Sequence, residues 1–308
     1  MIDFNTDIFG TAAPVSPEIM MGANTETIDP MELECPEPGV YYDVPAHVYH
    51  SWAAVSSTLL KAYAKLPSTA RTPYVPGDDA NVGSGIHAYS LQGEKGLREE
   101  CLFLPATCEG KSAKAIAERE MIQMSNPGKA LLPPVYGPQK VVTMEVLKGV
   151  DASLQSHPKI GPVLETSRKE VSVVWIDEET GCICKARFDI WDGSVLWDLK
   201  KCRSIDGFQW QIKDLGYMIQ AGFYYDGALA NNLPAVGFGF IPMEAFPPYQ
   251  VACGYVEPEK LEAARMDARR LLGLVKESQM NDYWPNFPPP SHIFSWEDLT
   301  PDDLVNVY

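Results

Sequence analysis

Two strand-like runs held apart by an Asp-Gly pair restrict the fold of this chain more than any other feature. Residues 182–190 and 195–200 are rich in β-branched, aromatic and other apolar side chains. Asp192-Gly193 between them is the strongest short-range signal for a two-residue hairpin turn. A turn closing at Trp191 and Ser194 sets Asp189 opposite Leu196 and Arg187 opposite Asp198. The two-residue side-chain period then puts Arg187, Asp189, Leu196, Asp198 and Lys200 on one face, and Val195, Trp197 and Leu199 on the other, apolar one.

Two carboxylates converging on one face repel, and a cation, a shared proton or water has to make the pair tolerable. Oxygen ligation of this kind suits Mg²⁺ or Mn²⁺, with Lys200 beside the water that reacts. The spacing fits a solvated face equally well, with Arg187 and Asp198 as a cross-strand ion pair. A third strand, 169–176, precedes the loop 177–181. If Asp177 pairs with Cys182, Glu170 falls opposite Asp189 and joins the acidic face, whereas a one-residue slip turns it away.

At 308 residues, 45% hydrophobic and 21% charged, the chain has material for one large or two modest domains and a substantial core. No apolar run nears the roughly 18 residues of a membrane span, and the N-terminus lacks the layout of a secretion signal, so a cytoplasmic protein is expected. Seven cysteines in no framework spacing suit a reducing compartment. Cys182 and Cys184, one residue apart on a strand, read as packed groups rather than zinc ligands. The net charge of -16 is uneven: residues 1–38 hold eight acids and no Lys or Arg, leaving 33 acids against 25 bases in the remainder. A mildly acidic body argues against a high-affinity unspecific nucleic-acid coat, but not against an enzyme that meets phosphates through metal ions and local basic groups.

Three segments are expected: an acidic, proline-punctuated, disordered tail over 1–38, a folded domain over 39–280, and a proline-rich acidic arm over 281–308. Ser56 or Ser57 caps a helix reaching Lys65, with Leu59, Leu60 and Tyr63 inward and Pro67 and Pro73 ending it. Residues 82–91 read as the first turns of a helix in which Gly83 and Gly85 permit close approach and His87 is either a packed core histidine or a ligand. The polar helix 111–124 shows Lys111, Lys114 and Arg119 to solvent or to phosphate. Another helix spans 137–155, with Gly149 as a candidate break. Helical sequence from Asp206 to Ala230 carries Tyr217, Gln220 and Tyr224 on one face, and a glutamine between two tyrosines wants hydrogen-bond partners. Strands at 235–242 and 249–256 follow, then a helix from Pro258 to Ser278.

Five stretches taken in order, Gly83 to His87, Glu170 before a strand ending in Trp175, Arg187-Phe188-Asp189, Asp198-Leu199-Lys200 and Gln220-x-x-x-Tyr224, resemble the motifs of the PD-(D/E)xK nuclease superfamily. The likeness is closest to its RecE (exonuclease VIII) branch, related to lambda exonuclease and the RecB nuclease domain. It spans residues 40–256, with Phe188 where the family has proline. The resemblance implies an α/β fold, a restriction-endonuclease-like core whose central mixed β-sheet is flanked by helices. It implies His87, Asp189, Asp198 and the Leu199 carbonyl as ligands of a principal Mg²⁺ or Mn²⁺, with Glu170 toward a second ion. Lys200 would orient or deprotonate the attacking water, Gln220 would position that water or the scissile phosphate, and Tyr217, Tyr224, Lys201 and Arg203 would meet the substrate.

The family reaction is 5′ to 3′ degradation of double-stranded DNA from its ends, leaving a 3′ single strand for a RecT-like annealing partner. It implies a homo-oligomeric ring in a bacterial cell, encoded by a phage or prophage and serving recombination. With only Cys253 after Gln220 among the residues that a cluster would need, no iron–sulphur cluster is expected. The competing readings are an endonuclease, a RecB-like nuclease and a catalytically silent DNA-binding subunit.

Overall fold

Three successive runs of alternating apolar residues build the centre of the molecule. The structure, a computed structural model, describes residues 35–72 and 75–289. In chain order its elements are β1 (Gly39–Tyr41), α1 (Ala46–Ser51), α2 (Ser57–Lys65), α3 (Asp78–Glu100), β2 (Cys101–Phe103), α4 (Ala113–Ser125), β3 (Ala130–Leu132), β4 (Val135–Tyr136) and β5 (Val141–Val142). There follow α5 (Thr143–Ser156), α6 (Ile160–Thr166), β6 (Arg168–Ile176), β7 (Ile183–Trp191), β8 (Val195–Cys202), α7 (Phe208–Asp214), α8 (Tyr217–Ala230), β9 (Gly237–Glu244), β10 (Gly254–Tyr255) and α9 (Pro258–Asn281).

One mixed sheet runs in the order β1-β6-β7-β8-β9-β10. All its pairs are antiparallel except β8 with β9, and the parallel pair is joined by the crossover through α7 and α8. Helices α2, α8 and α9 bury Trp175, Phe188, Leu196 and Phe240 on one side. Helices α3, α5 and α6 bury Trp197, Leu199 and Ile241 on the other. The expected class, a central mixed sheet flanked by helices, is what the chain adopts.

The β6–β7 register is the expected one: Asp177 N–H donates to Cys182 O at 2.9 Å, and Val171 pairs with Phe188. The β7–β8 hairpin differs. Trp191 pairs with Leu196, not Ser194, and Ile190 with Trp197. The reason is Asp192, whose Oδ1 accepts from the N–H groups of Ser194 and Val195 while Oδ2 accepts from Trp197 Nε1. It caps the turn from its first position, as aspartates do, and Gly193 and Ser194 become the central pair. A two-residue shift keeps side-chain parity, so Val195, Trp197 and Leu199 remain in the core under α3. It nevertheless sets Asp189 level with Asp198 instead of Leu196, and removes Arg187 from opposite Asp198.

The helix boundaries also move. Residues 82–91 lie one turn inside α3, which starts at Asp78 and bends at Gly93. Helix α5 starts late because β4 and β5 pair just before it, and it continues unbroken through Gly149, beside the Tyr249 ring. The helical run after β8 is two helices, separated where Gly216 takes a left-handed backbone at φ 63. The strand expected over 249–256 shortens to Gly254–Tyr255.

The expected tail and arm fall mostly outside the described residues, as does Pro73. Of the arm, Trp284 stacks edge-on against Tyr63 and Pro285 O accepts from Ser68 N–H. Among the described residues no helix is long and apolar enough to cross a membrane.

Candidate active site

Strands β7 and β8 pair at only two positions before they part. Beyond the fork β8 continues against β9 and β7 against β6. In the fork, Leu199 N–H donates to the Asp189 carboxylate at 2.8 Å. At the same level β6 carries Glu170 with a left-handed backbone, φ 53, between the paired residues Lys169 and Val171. That conformation costs roughly 1–2 kcal/mol away from glycine, a strain that concentrates at functional positions. Side-chain alternation also breaks here: Phe188 and Trp191, three residues apart, share one core while Ile190 joins the other. Three neighbouring strands thereby bring Glu170, Asp189 and Asp198 to one level.

Two helices complete the group. His87 on α3 places Nε2 2.8 Å from the Leu199 carbonyl oxygen and Nδ1 3.5 Å from Asp189 Oδ2. Gln220 on α8 donates from Nε2 to Asp198 Oδ1 at 2.6 Å. Lys200 Nζ lies 2.5 Å from Asp198 Oδ2 and 4.8 Å above the Tyr217 ring. With Asp198 1% exposed, so buried an ion pair is weak evidence of stability and stronger evidence of a task.

The alternative pair of Arg187 with Asp198 does not form. Arg187 lies 3.3 Å from Glu170, donates to Ser172 Oγ and Val44 O, and rests on the Tyr49 ring, because Phe188 takes the same core as Leu196 and leaves Arg187 on the opposite face. The Tyr224 ring packs on Phe188 and Phe238. Lys201 is tied to Asp79 and Tyr136, and Arg203 is exposed. Arg119, expected on a solvated or phosphate-facing surface, is bound inward to Asp78 and the Cys108 carbonyl. Cys182 and Cys184 are buried and free, as expected.

Lys61 on α2 was not among the expected residues, yet it donates to Gln220 Oε1 at 3.0 Å. Its signal in the sequence is its position: Ser57, Leu60, Lys61 and Ala64 form an i, i+3, i+4, i+7 stripe, and a lysine on the inward stripe of a helix needs a buried partner.

Burial pushes the Glu170 carboxyl up to about 7 against the pull of Arg187. Burial likewise pushes Asp189 up to about 6, with His87 opposing and Asp198 adding to the rise. Burial works against the Lys200 charge, but Asp198 and Asp189 hold its proton above the ordinary lysine value. Both raised carboxyls bind protons in the native state that the unfolded chain has already released between about pH 4 and about pH 7, so stability falls as pH rises through that window. Glu170→Gln should therefore flatten the decline in metal-free stability across this range by on the order of 2 kcal/mol. Chemical unfolding at several pH values measures it, and parallel wild-type and variant curves would remove Glu170 from the account.

The donor set, two aspartates, a carbonyl and an imidazole, has the chemistry of a hard divalent ion's ligands. Asp198 Oδ2 is buried against the Lys200 ammonium, so this oxygen already takes a cation as its partner. Among the described residues, no three or more His, Cys, Asp or Glu side chains are already gathered as a metal cage. Lys200 instead lies against that oxygen.

No family model and no curated protein matches the chain. A solved structure is similar: the crystal structure of a "putative exonuclease" from Eubacterium rectale, with a TM-score of 0.51 and 16% identity, over 76% of this chain and 84% of that one. At that identity the likeness is one of fold, and the chain is placed by it among proteins that share this mixed sheet with its flanking helices.

Proposed function

We propose that the protein is a divalent-metal-dependent deoxyribonuclease of the PD-(D/E)xK type that hydrolyses phosphodiester bonds. The observation that carries this reading is the meeting of Asp189, Asp198 and Lys200 at the β7–β8 fork, with His87 and Gln220 closing on them. The fold shared with the Eubacterium rectale chain supports it. The finer reading is a RecE-like exonuclease that degrades double-stranded DNA 5′ to 3′ from its ends, works as a homo-oligomeric ring in the bacterial cytoplasm, and hands a 3′ single strand to a RecT-like partner.

His87, Asp189, Asp198 and the Leu199 carbonyl would hold the principal Mg²⁺ or Mn²⁺, and Glu170 would serve a second ion. When bound, such ions stabilise charge on the phosphate and make water more acidic. The chain's own residues do the remainder. Lys200, kept protonated by its neighbours, acts as a cation that orients the attacking water and offsets charge developing on the phosphate oxygens. Glu170, whose carboxyl burial raises to about 7 without metal, would be held ionised by the ion it serves. Gln220 holds Asp198, and Arg187 holds Glu170.

One gel tests the reading. Purified protein with Mg²⁺ is incubated with linear duplexes labelled at the 5′ or the 3′ end, beside a closed circle, with and without excess chelator. Early release of the 5′ label from linear DNA, an intact circle and no reaction in chelator are expected. A cut circle would replace the exonuclease with an endonuclease, and inert DNA in every lane would leave a silent binding subunit. Undiminished cleavage in chelator would overturn the metal requirement.

A further inference from the structure

Lys61 lies in none of the motif positions, but it touches one of them. We infer that Lys61 is a positioning residue for the phosphodiester hydrolysis proposed above, fixing the amide orientation of Gln220 and through it the Asp198 carboxylate; the inference rests on that reading. An amide side chain has two orientations that exchange its oxygen and its NH₂ group. In one, Oε1 accepts from the Lys61 ammonium at 3.0 Å and Nε2 donates to Asp198 Oδ1 at 2.6 Å. In the other, oxygen would face carboxylate and NH₂ would face ammonium, both repulsive. Gln220 is 5% exposed, so bulk water does little to soften the difference.

The consequence reaches Asp198. With Oδ1 committed to Gln220, Oδ2 is the oxygen left beside Lys200, and one carboxylate presents one defined oxygen to the reacting centre. Lys61 also belongs to the same electrostatic unit as Lys200. Both ammonium groups lie over the Tyr217 ring, at 5.7 and 4.8 Å from its centre. Burial first, and then Lys200, push Lys61 down to about 8, which leaves it charged at neutral pH. A lysine so enclosed is placed to act through Gln220 rather than to grip DNA from the surface.

The test is a double-mutant cycle on the full chain, with folding of every variant verified by thermal melting. Lys61→Met keeps the aliphatic stem and removes the ammonium. It should lower kcat by about tenfold, the value of one buried charged hydrogen bond, with KM for linear duplex DNA within about twofold. In a Gln220→Leu background the same substitution should lower kcat by less than about twofold, because the group it acts through is gone. Lys61→Arg should recover part of the lost kcat.

Equal losses in both backgrounds would overturn the inference in favour of an independent role. A rise in KM with unchanged kcat would overturn it in favour of DNA contact, and unchanged kinetics would overturn it outright. Absence of cleavage by the unsubstituted protein is a separate result and overturns the nuclease reading itself.

Discussion

Lys200→Met should lower the proposed DNA cleavage rate by about 10²–10⁴-fold, the range typical of removing a positioned proton-transfer or charge-stabilising group, and the variant should still fold and still bind DNA. The side chain enters the site from the strand that carries Asp198, and no other ammonium lies as close to that carboxylate among the contacts described. Methionine preserves the volume over the Tyr217 ring and removes only the charge. Metal affinity is the discriminating measurement. Without Lys200 the aspartates lose a cation that competes for Asp198 Oδ2, so Mn²⁺ should bind at least as tightly as to the unsubstituted protein. Loss of cleavage with retained or tighter Mn²⁺ binding in calorimetry is expected. Cleavage at the normal rate would sink the role given to Lys200, and lost Mn²⁺ binding would show that the substitution had collapsed the site instead.

Gly222→Ala should unfold the protein more readily by about 3 kcal/mol or more, although helix propensity alone favours alanine by about 1 kcal/mol. A methyl group on Gly222 would lie 2.4 Å from the carbonyl carbon and oxygen of Ala264 and 2.5 Å from the Arg265 nitrogen. These are backbone atoms of α9 and cannot rotate aside, so α8 and α9 must separate. Asp226, one turn further along α8, binds Arg265 and Arg269 across the same interface, and that contact would loosen too. Gln220 lies two residues from the clash, and a displacement near 1 Å can cost about 10²-fold in rate. Gly273 on α9 has nothing within 4 Å of the corresponding position. Gly273→Ala should therefore follow propensity alone and stabilise by about 1 kcal/mol. Urea unfolding of both variants separates the effects, and a stabilised Gly222→Ala would show that the two helices accommodate the methyl group without strain.

The site was partly legible because strands write their faces at a period of two. Glu170 and Asp189 could be brought together from the Asp177–Cys182 closure alone, and the structure has that register. The β7–β8 turn was less legible. An Asp-Gly pair signals a hairpin, but whether the aspartate occupies its apex or caps it from the first position depends on what its carboxylate finds. Here it finds two backbone N–H groups and the Trp197 indole. The error was two residues, an even number, so β8 kept its faces, while in β7 the alternation breaks and Phe188 shares the core of Leu196. Arg187 illustrates the limit of such reasoning: Phe188 takes the core of Leu196, so Arg187 faces the other side, and its choice of Glu170, Ser172 and Val44 over Asp198 depends on the neighbouring strand and the β1–α1 segment.

By itself the sequence determined the mixed α/β alternation, the faces of β8, the β6–β7 register and the order of the motif residues, because each follows from local periodicity and turn chemistry. The tertiary structure alone decided that β7 and β8 part after two pairs, that α3 brings His87 to the Leu199 carbonyl, and that Lys61 reaches Gln220 from a helix 159 residues away in sequence. Those outcomes depend on which surfaces meet once the apolar faces are buried, and burial has no direction until the whole sheet and its helices are in place.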